Sequence, residues 1–260
     1  MKICRFHTTE KTAPQFGILI DGWITPVVVQ DIAQLSESTL KNLAVKDKIA
    51  LGEARLLPPI IPTKIVCVGR NYVEHAKELG NAVPTEPLLF LKAPTSLITD
   101  GEAIRIPPQS NQVEHEGELA VIIKRTAKNI GAQENPLDYV LGYSTLNDVT
   151  ARDLQRRDVQ FTRAKSFDTF CPIGNFIETD LDPTALRVTV LVNNTIKQEG
   201  NTRDMVFSVA SIIRYISEQM TLLPGDIIAT GTPSGVSRLA EGDVCTIEIE
   251  GLGALTNPVL

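Results

Sequence analysis

The sequence is short of the residues that mark several whole classes of protein. Cysteine occurs only four times in 260 residues, at Cys4, Cys67, Cys171 and Cys245, with no C-x-x-C pair. That spacing excludes a disulfide-dense secreted scaffold and suits small core thiols in a reduced, cytoplasmic protein. A surplus of positive charge is also missing: 25 Lys and Arg stand against 31 Asp and Glu, for a net charge of −6 and a pI near 5.2. A general binder of phosphate backbones carries the opposite balance, so nucleic acid is not an expected partner. No uncharged run exceeds about a dozen residues, whereas a membrane helix needs roughly 20. The opening MKICRF has no apolar leader region, so neither a membrane span nor a signal peptide is expected. Glycine (17) and proline (16) are at ordinary levels, which excludes a collagen-like or low-complexity chain.

What remains is the composition of a folded globular protein, 43% hydrophobic and 22% charged. A chain of this length buries about three quarters of its unfolded surface and needs no covalent staple. Residues 1–60 read as a small N-terminal β-rich domain. It has three short strands, a turn at Asp21-Gly22, and a polar helical stretch around 31–45. LLPPIIP, with three prolines in seven residues, marks a boundary or extended linker. Residues 61–260 form the main domain. KIVCVG, LLFLKAP, ELAVIIK, YVLGYSTLND, RVTVLVNN, DIIATG and CTIEIEG read as strands, being short, β-branched and bounded by Gly, Pro, Asn or Asp. The clearest long helix spans about 206–220, with Val206, Val209, Ile212, Ile213 and Ile216 on one face. Strands outnumber helices without regular alternation, so the expected class is a β-rich mixed α/β fold rather than a doubly wound sheet.

Four local patterns carry possible chemistry. In Glu114-His115-Glu116-Gly117-Glu118, strand parity puts Glu116 and Glu118 on one face, with Glu114 in the same series. Neighbouring carboxylates repel unless they are solvated, protonated or joined by a cation. A solvated strand end would carry the same letters. Asp148 ends the strand YVLGYSTLND, and three carboxylates meeting at strand ends would suit Mg²⁺ or Mn²⁺ rather than zinc. His75 and Glu78 are three apart on a short helical segment, where a carboxylate can orient an imidazole as a general base. An exposed polar helix fits the same pattern. Lys165, in RAKSFDTFCPIG, reads as a stabiliser of an enolate or carboxylate, or as an ordinary surface lysine. GTPSGV at 231–236 is not a Walker loop. Its glycines either bring backbone N–H groups and Thr232 to an anion or simply make a turn.

Together, GRNYVEHAKELG, PLLFLKAPTSLI, HEGELAVII, GYSTLNDVTARDLQ, AKSFDTFCPIG and LLPGDIIATGTPSGV resemble the fumarylacetoacetate hydrolase family, in order and over most of the chain from about residue 64. The resemblance implies a β-rich mixed α/β fold, its strands rolled around a metal site, assembled as a homodimer. It assigns Glu116, Glu118 and Asp148 as ligands of Mg²⁺ or Mn²⁺, His75 and Glu78 as a lid pair, and Lys165 as the active-site lysine. Arg152, Gln155 and Thr232 become substrate contacts. A fourth carboxylate ligand of the large eukaryotic-type members has no counterpart in GRNY, which points to smaller members acting on acylpyruvates and oxaloacetate. The activity expected first is metal-dependent carbon–carbon cleavage of short β-oxo or β-diketo acids, by hydrolysis or decarboxylation through a pyruvate enolate. Keto–enol tautomerisation or isomerisation on the same site is the alternative, and noncatalytic binding of an oxo acid the third. The stretch from about Asn71 to Glu86, polar and Gly-bounded, reads as a lid with little apolar surface to hold it.

Overall fold

The computed structural model describes residues 1–29 and 48–260. The polar helical stretch expected around 31–45 lies outside the described residues. The seven strands expected in the main domain are all present, and the architecture is β-rich mixed α/β.

An 11-stranded sheet runs in the order Ile49–Ala50, Trp23–Val27, Gln15–Ile20, Lys2–His7, Phe176–Glu178, Val140–Asn147, Gly117–Ile123, Ile227–Ala229, Ile65–Gly69 and Leu88–Lys92, with Arg55–Leu57 also paired to Lys2–His7. The hairpin at Asp21-Gly22 forms as its sequence dictates. Both turn residues have positive φ, 48° and 80°, which matches the turn to the twist of its strands. The LLPPIIP segment does more than link, since its leading leucines are the end of Arg55–Leu57. The N-terminal strands join the main sheet through Lys2↔Glu178 and Ile3↔Ile177.

Gly117–Ile123 is buried along its whole length, and its alternation feeds two cores. Leu119, Val121 and Ile123 point to one side, with Val188, Val190, Ile247 and Ile249 of a second, four-stranded antiparallel sheet (Thr195–Asn201, Arg187–Val192, Val244–Ile249, Gly253–Pro258). Ala120 and Ile122 point to the other, with Ile65, Cys67, Cys171, Ile173 and Ile227. All four cysteines are free and buried. The helix Val209–Gln219 closes the first core with Val209, Ile212, Ile213 and Ile216. It starts three residues later than its apolar periodicity suggests. Ser208 caps it by accepting the Ser211 N–H at 3.2 Å, while the Val206 N–H is taken by the Asn71 carbonyl.

Gly142 marks the join between the N-terminal strands and the main sheet. A Cβ there would lie 2.4 Å from the Glu178 carbonyl oxygen, which is backbone and cannot rotate away. Gly142→Ala should therefore lower unfolding stability by about 1–3 kcal/mol, as overpacking does. The urea midpoint would measure this, and an unchanged midpoint would contradict the join described here.

Candidate active site

The antiparallel register pairs Gly117 with Asn147. One step outward, Glu116 faces Asp148, and the Asp148 N–H donates to the Glu116 carbonyl at 2.9 Å. The Asn147 side chain accepts the Glu116 N–H at 3.0 Å, fixing the strand end. Glu118 follows on the face of Glu116. Carboxylate oxygens of Glu116, Glu118 and Asp148 lie within 4.8 Å of one another, and all three residues are buried. Glu114 does not join them. The strand breaks at His115 and Glu116, so parity is lost, and Glu114 turns to Arg152 Nε at 2.7 Å.

Three cations surround the acids. Lys165 Nζ donates to Glu116 Oε2 at 2.8 Å and to Asp148 Oδ2 at 2.6 Å. Arg152 bonds Glu114, Glu116 and, at 2.6 Å, Gln155 Oε1. Lys92 Nζ donates to Asp148 Oδ1 at 2.6 Å and to the Val149 carbonyl at 3.2 Å. Sequence reasoning missed Lys92. Its only signal was a lysine closing an otherwise apolar strand, where the structure buries the lysine and leaves Leu91 exposed.

Four carboxylates therefore meet three cations, and the unmatched one is Glu118. Among the described residues it has no cationic partner, only the Gly231 N–H at 2.7 Å. Burial, then the charges of Asp148 and Glu116, push its carboxyl well above the usual range. Glu116 moves the other way. Burial raises it, but Lys165 and Arg152 outweigh that and hold it well below the usual range. A divalent cation fits this set: three converging hard oxygens, one of them lacking any positive partner. Residues of the site that would hold it are Glu116, Glu118 and Asp148.

Above the acids lies the helix Val73–Glu78, closed by Gly80 in a left-handed turn. Tyr72, His75 and Ala76 are buried, so this half is better anchored than its polar letters suggest, whereas most of 80–86 is exposed. His75 Nδ1 stands 3.4 Å from Glu78 Oε2. Both Glu78 oxygens also accept the Gly235 N–H, at 3.0 and 3.2 Å. A carboxylate only accepts, so Nδ1 carries the proton and Nε2 is the free base. Burial lowers the pKa of His75 and keeps the imidazole neutral. The GTPSGV loop does bring backbone N–H groups to anions, and those anions are the chain's own Glu118 and Glu78. Gly231 has a φ of 99° and no room for a Cβ, which would sit 2.7 Å from Asn71 Cβ.

A cleft joins His75, the three acids, Arg152 and Lys165, with Gln155 and Thr232 on its wall and Phe90 set edge-on to Phe161. The Thr232 hydroxyl is committed to the Gly117 carbonyl at 2.9 Å and accepts Gln198 Nε2 at 2.8 Å. Gln155, its oxygen held by Arg152, keeps an amide N–H for a ligand.

A family model described as fumarylacetoacetate (FAA) hydrolase C-terminal matches residues 64–260. The mitochondrial oxaloacetate tautomerase of Xenopus laevis is 36% identical over 289 residues, covering 100% of this chain and 90% of that protein. A 2-hydroxyhepta-2,4-diene-1,7-dioate isomerase structure from Mycobacterium marinum superposes with a TM-score of 0.87 at 38% identity, covering 100% of this chain and 98% of that one. A maleylpyruvate hydrolase structure from a Sphingobium species gives 0.80 at 32%, covering 100% and 99%.

Two outcomes follow from the charge balance. Mg²⁺ or Mn²⁺ should raise the thermal midpoint by mass action, and EDTA should reverse the rise. Glu118→Gln keeps an acceptor for Gly231 but no charge, so its midpoint should not respond; an undiminished response would remove Glu118 from the metal set. Lys92→Met leaves Asp148 with one cation fewer in a dry site and should cost about 3–5 kcal/mol of stability. Denaturant melts with chelator present would show it.

Proposed function

Because the chain belongs to the fumarylacetoacetate hydrolase family and is an enzyme of that family, we propose that it interconverts the keto and enol forms of a short 2-oxo acid of the oxaloacetate type. One observation carries the reading: a neutral, buried imidazole shares a cleft with a buried acidic cation site. A divalent cation there supplies Lewis acidity toward the carboxylate and keto oxygens of a 2-oxo acid.

The side chains account for the rest. His75 Nε2 takes a proton from carbon 3, the C–H electron pair becomes the C2–C3 double bond, and the carbonyl π pair moves onto oxygen. Reprotonation of that oxygen completes the enol. Lys165 uses two of its three N–H groups on Glu116 and Asp148, leaving one for the substrate anion. Arg152, held by Glu114, Glu116 and Gln155, sits rigidly beside it.

Carbon–carbon cleavage stood first in the sequence, and two observations move tautomerisation ahead of it. Glu78 divides its charge between His75, at a long 3.4 Å, and the Gly235 N–H, so it backs the imidazole weakly for activating water. The relatives also include an oxaloacetate tautomerase and a dioate isomerase. Hydrolysis of an acylpyruvate remains the second reading, supported by the likeness to a maleylpyruvate hydrolase.

The test runs purified protein with Mg²⁺ or Mn²⁺ against enol-oxaloacetate, acetylpyruvate and fumarylpyruvate, following enol decay and cleavage separately. Enol decay should be accelerated and metal-dependent, and His75→Ala should lose about 10²–10⁴-fold, the usual worth of a general acid–base group. Burial holds the His75 pKa below its ordinary value of 6.5, so the base form survives into mild acid and the acid limb of kcat/KM should lie below pH 6.5. Cleavage without enol decay would replace tautomerisation by the hydrolytic reading.

A further inference from the structure

The cleft's other cationic side chains are occupied. Arg152 is paired with Glu114 and Glu116, Lys92 behind it with Asp148, and Lys165 with Glu116 and Asp148, its one remaining N–H facing the 2-oxo acid end of the substrate. Arg70 also lines the cleft, and among the described residues it makes no ion pair and no side-chain hydrogen bond. It is half-buried, and its φ is +58°, a conformation that residues other than Gly seldom adopt.

That backbone is held in place from the next residue. The Asn71 amide is fully buried; its Nδ2 donates to the Phe207 and Thr230 carbonyls at 3.1 and 2.8 Å, and its Oδ1 accepts the Phe207 N–H at 2.8 Å. The Asn71 carbonyl takes the Val206 N–H at 2.8 Å, and Gly231 packs against its Cβ too closely for any side chain. A clamp of this kind, spent on one left-handed residue at the mouth of a strand, over-determines a strained conformation, as surroundings do where a ligand is gripped.

We propose that Arg70 is the specificity residue that reads a second carboxylate on the substrate, so that the enzyme selects 2-oxo dicarboxylic acids over 2-oxo monocarboxylic acids. This rests on the 2-oxo acid reading above. The acidic cation site takes the 2-oxo acid end of such a molecule, and every nearer cation already has an anion. A guanidinium without a partner offers a planar carboxylate two parallel N–H donors. A methyl group at the same place would leave that charge unpaired.

The experiment measures binding apart from turnover. Calorimetry on the magnesium-loaded protein would compare oxalate, which presents only the chelating end, with oxaloacetate and with 2-oxobutyrate, which keeps four carbons but has no second carboxylate. Arg70→Ala should weaken oxaloacetate by about 10- to 100-fold, the scale of a charged hydrogen-bond pair. Oxalate and 2-oxobutyrate should change less than about twofold, and Arg70→Lys should recover part of the loss. Alanine and lysine meet the same backbone strain as arginine, so thermal midpoints of the variants should match the wild type. Equal weakening of all three ligands would make Arg70 structural and overturn the proposal, as would unchanged oxaloacetate binding or a wild type that gains nothing from the second carboxylate. If oxaloacetate binds through Arg70 but its enol decays no faster than in buffer, the tautomerase reading fails and the carboxylate reader stands.

Discussion

The constraint on which the structure depends is electrostatic: four carboxylates and three cations are buried together at the floor of the cleft. Each ion loses several kcal/mol of hydration there, and their mutual attraction returns that only with close geometry. The fold supplies the geometry. Asp148 has a lysine on each oxygen, one from an edge strand and one from the short helix Thr162–Lys165. Glu116 is gripped by Lys165 and Arg152, and its backbone is tied to Asp148 and Asn147. Such a cluster is a poor source of stability, and hydrophobic residues of like volume would serve the core better. It leaves Glu118 without a cationic side chain beside two matched acids, an arrangement whose hard oxygens suit a divalent cation.

The loop from Gly231 to Gly235 carries that arrangement outward. One backbone N–H holds Glu118 and another holds Glu78, so the acidic floor and the helix above it hang from the same five residues. Behind the loop, Gln198 accepts from the Gly117 N–H and donates to Thr232 and the Pro233 carbonyl. His115, fully buried, bonds Gln198 at 3.1 Å and Ser237 at 2.8 Å. Burial lowers its pKa and keeps it neutral, suiting a ring that bridges two polar groups in a dry place. Opening the helix over the cleft would break the partly exposed Glu78 contacts and uncover the buried His75 and Ala76, whereas the floor is locked by the sheet.

Much of this was legible beforehand because it is local. Period-two alternation with β-branched letters marks strands such as ELAVIIK and RVTVLVNN whatever surrounds them, and Asp21-Gly22 can hardly avoid a tight turn. Parity alone places Glu116 and Glu118 on one face, since successive strand residues must alternate. The order of six motifs carried the family. Even the helix ending at Gly80 follows from a residue that tolerates a left-handed turn.

What the sequence could not contain was the identity of partners far along the chain. Lys92 and Asp148 are 56 residues apart, Glu118 and Gly231 113, and Glu78 and Gly235 157. No periodicity encodes such a meeting, because it is made by sheet order and register rather than by spacing. Glu114 shows the same limit: it shares the parity of the other two glutamates, yet a two-residue break in the strand hands it to Arg152. Sequence by itself determined which residues are acidic, basic or apolar and which local shape each segment prefers. Tertiary structure decided which charges are buried together, and therefore which carboxylate has no cationic side chain and which arginine no anion among the described residues. Coulombic energy and desolvation depend on separations in space that the chain fixes only when it closes.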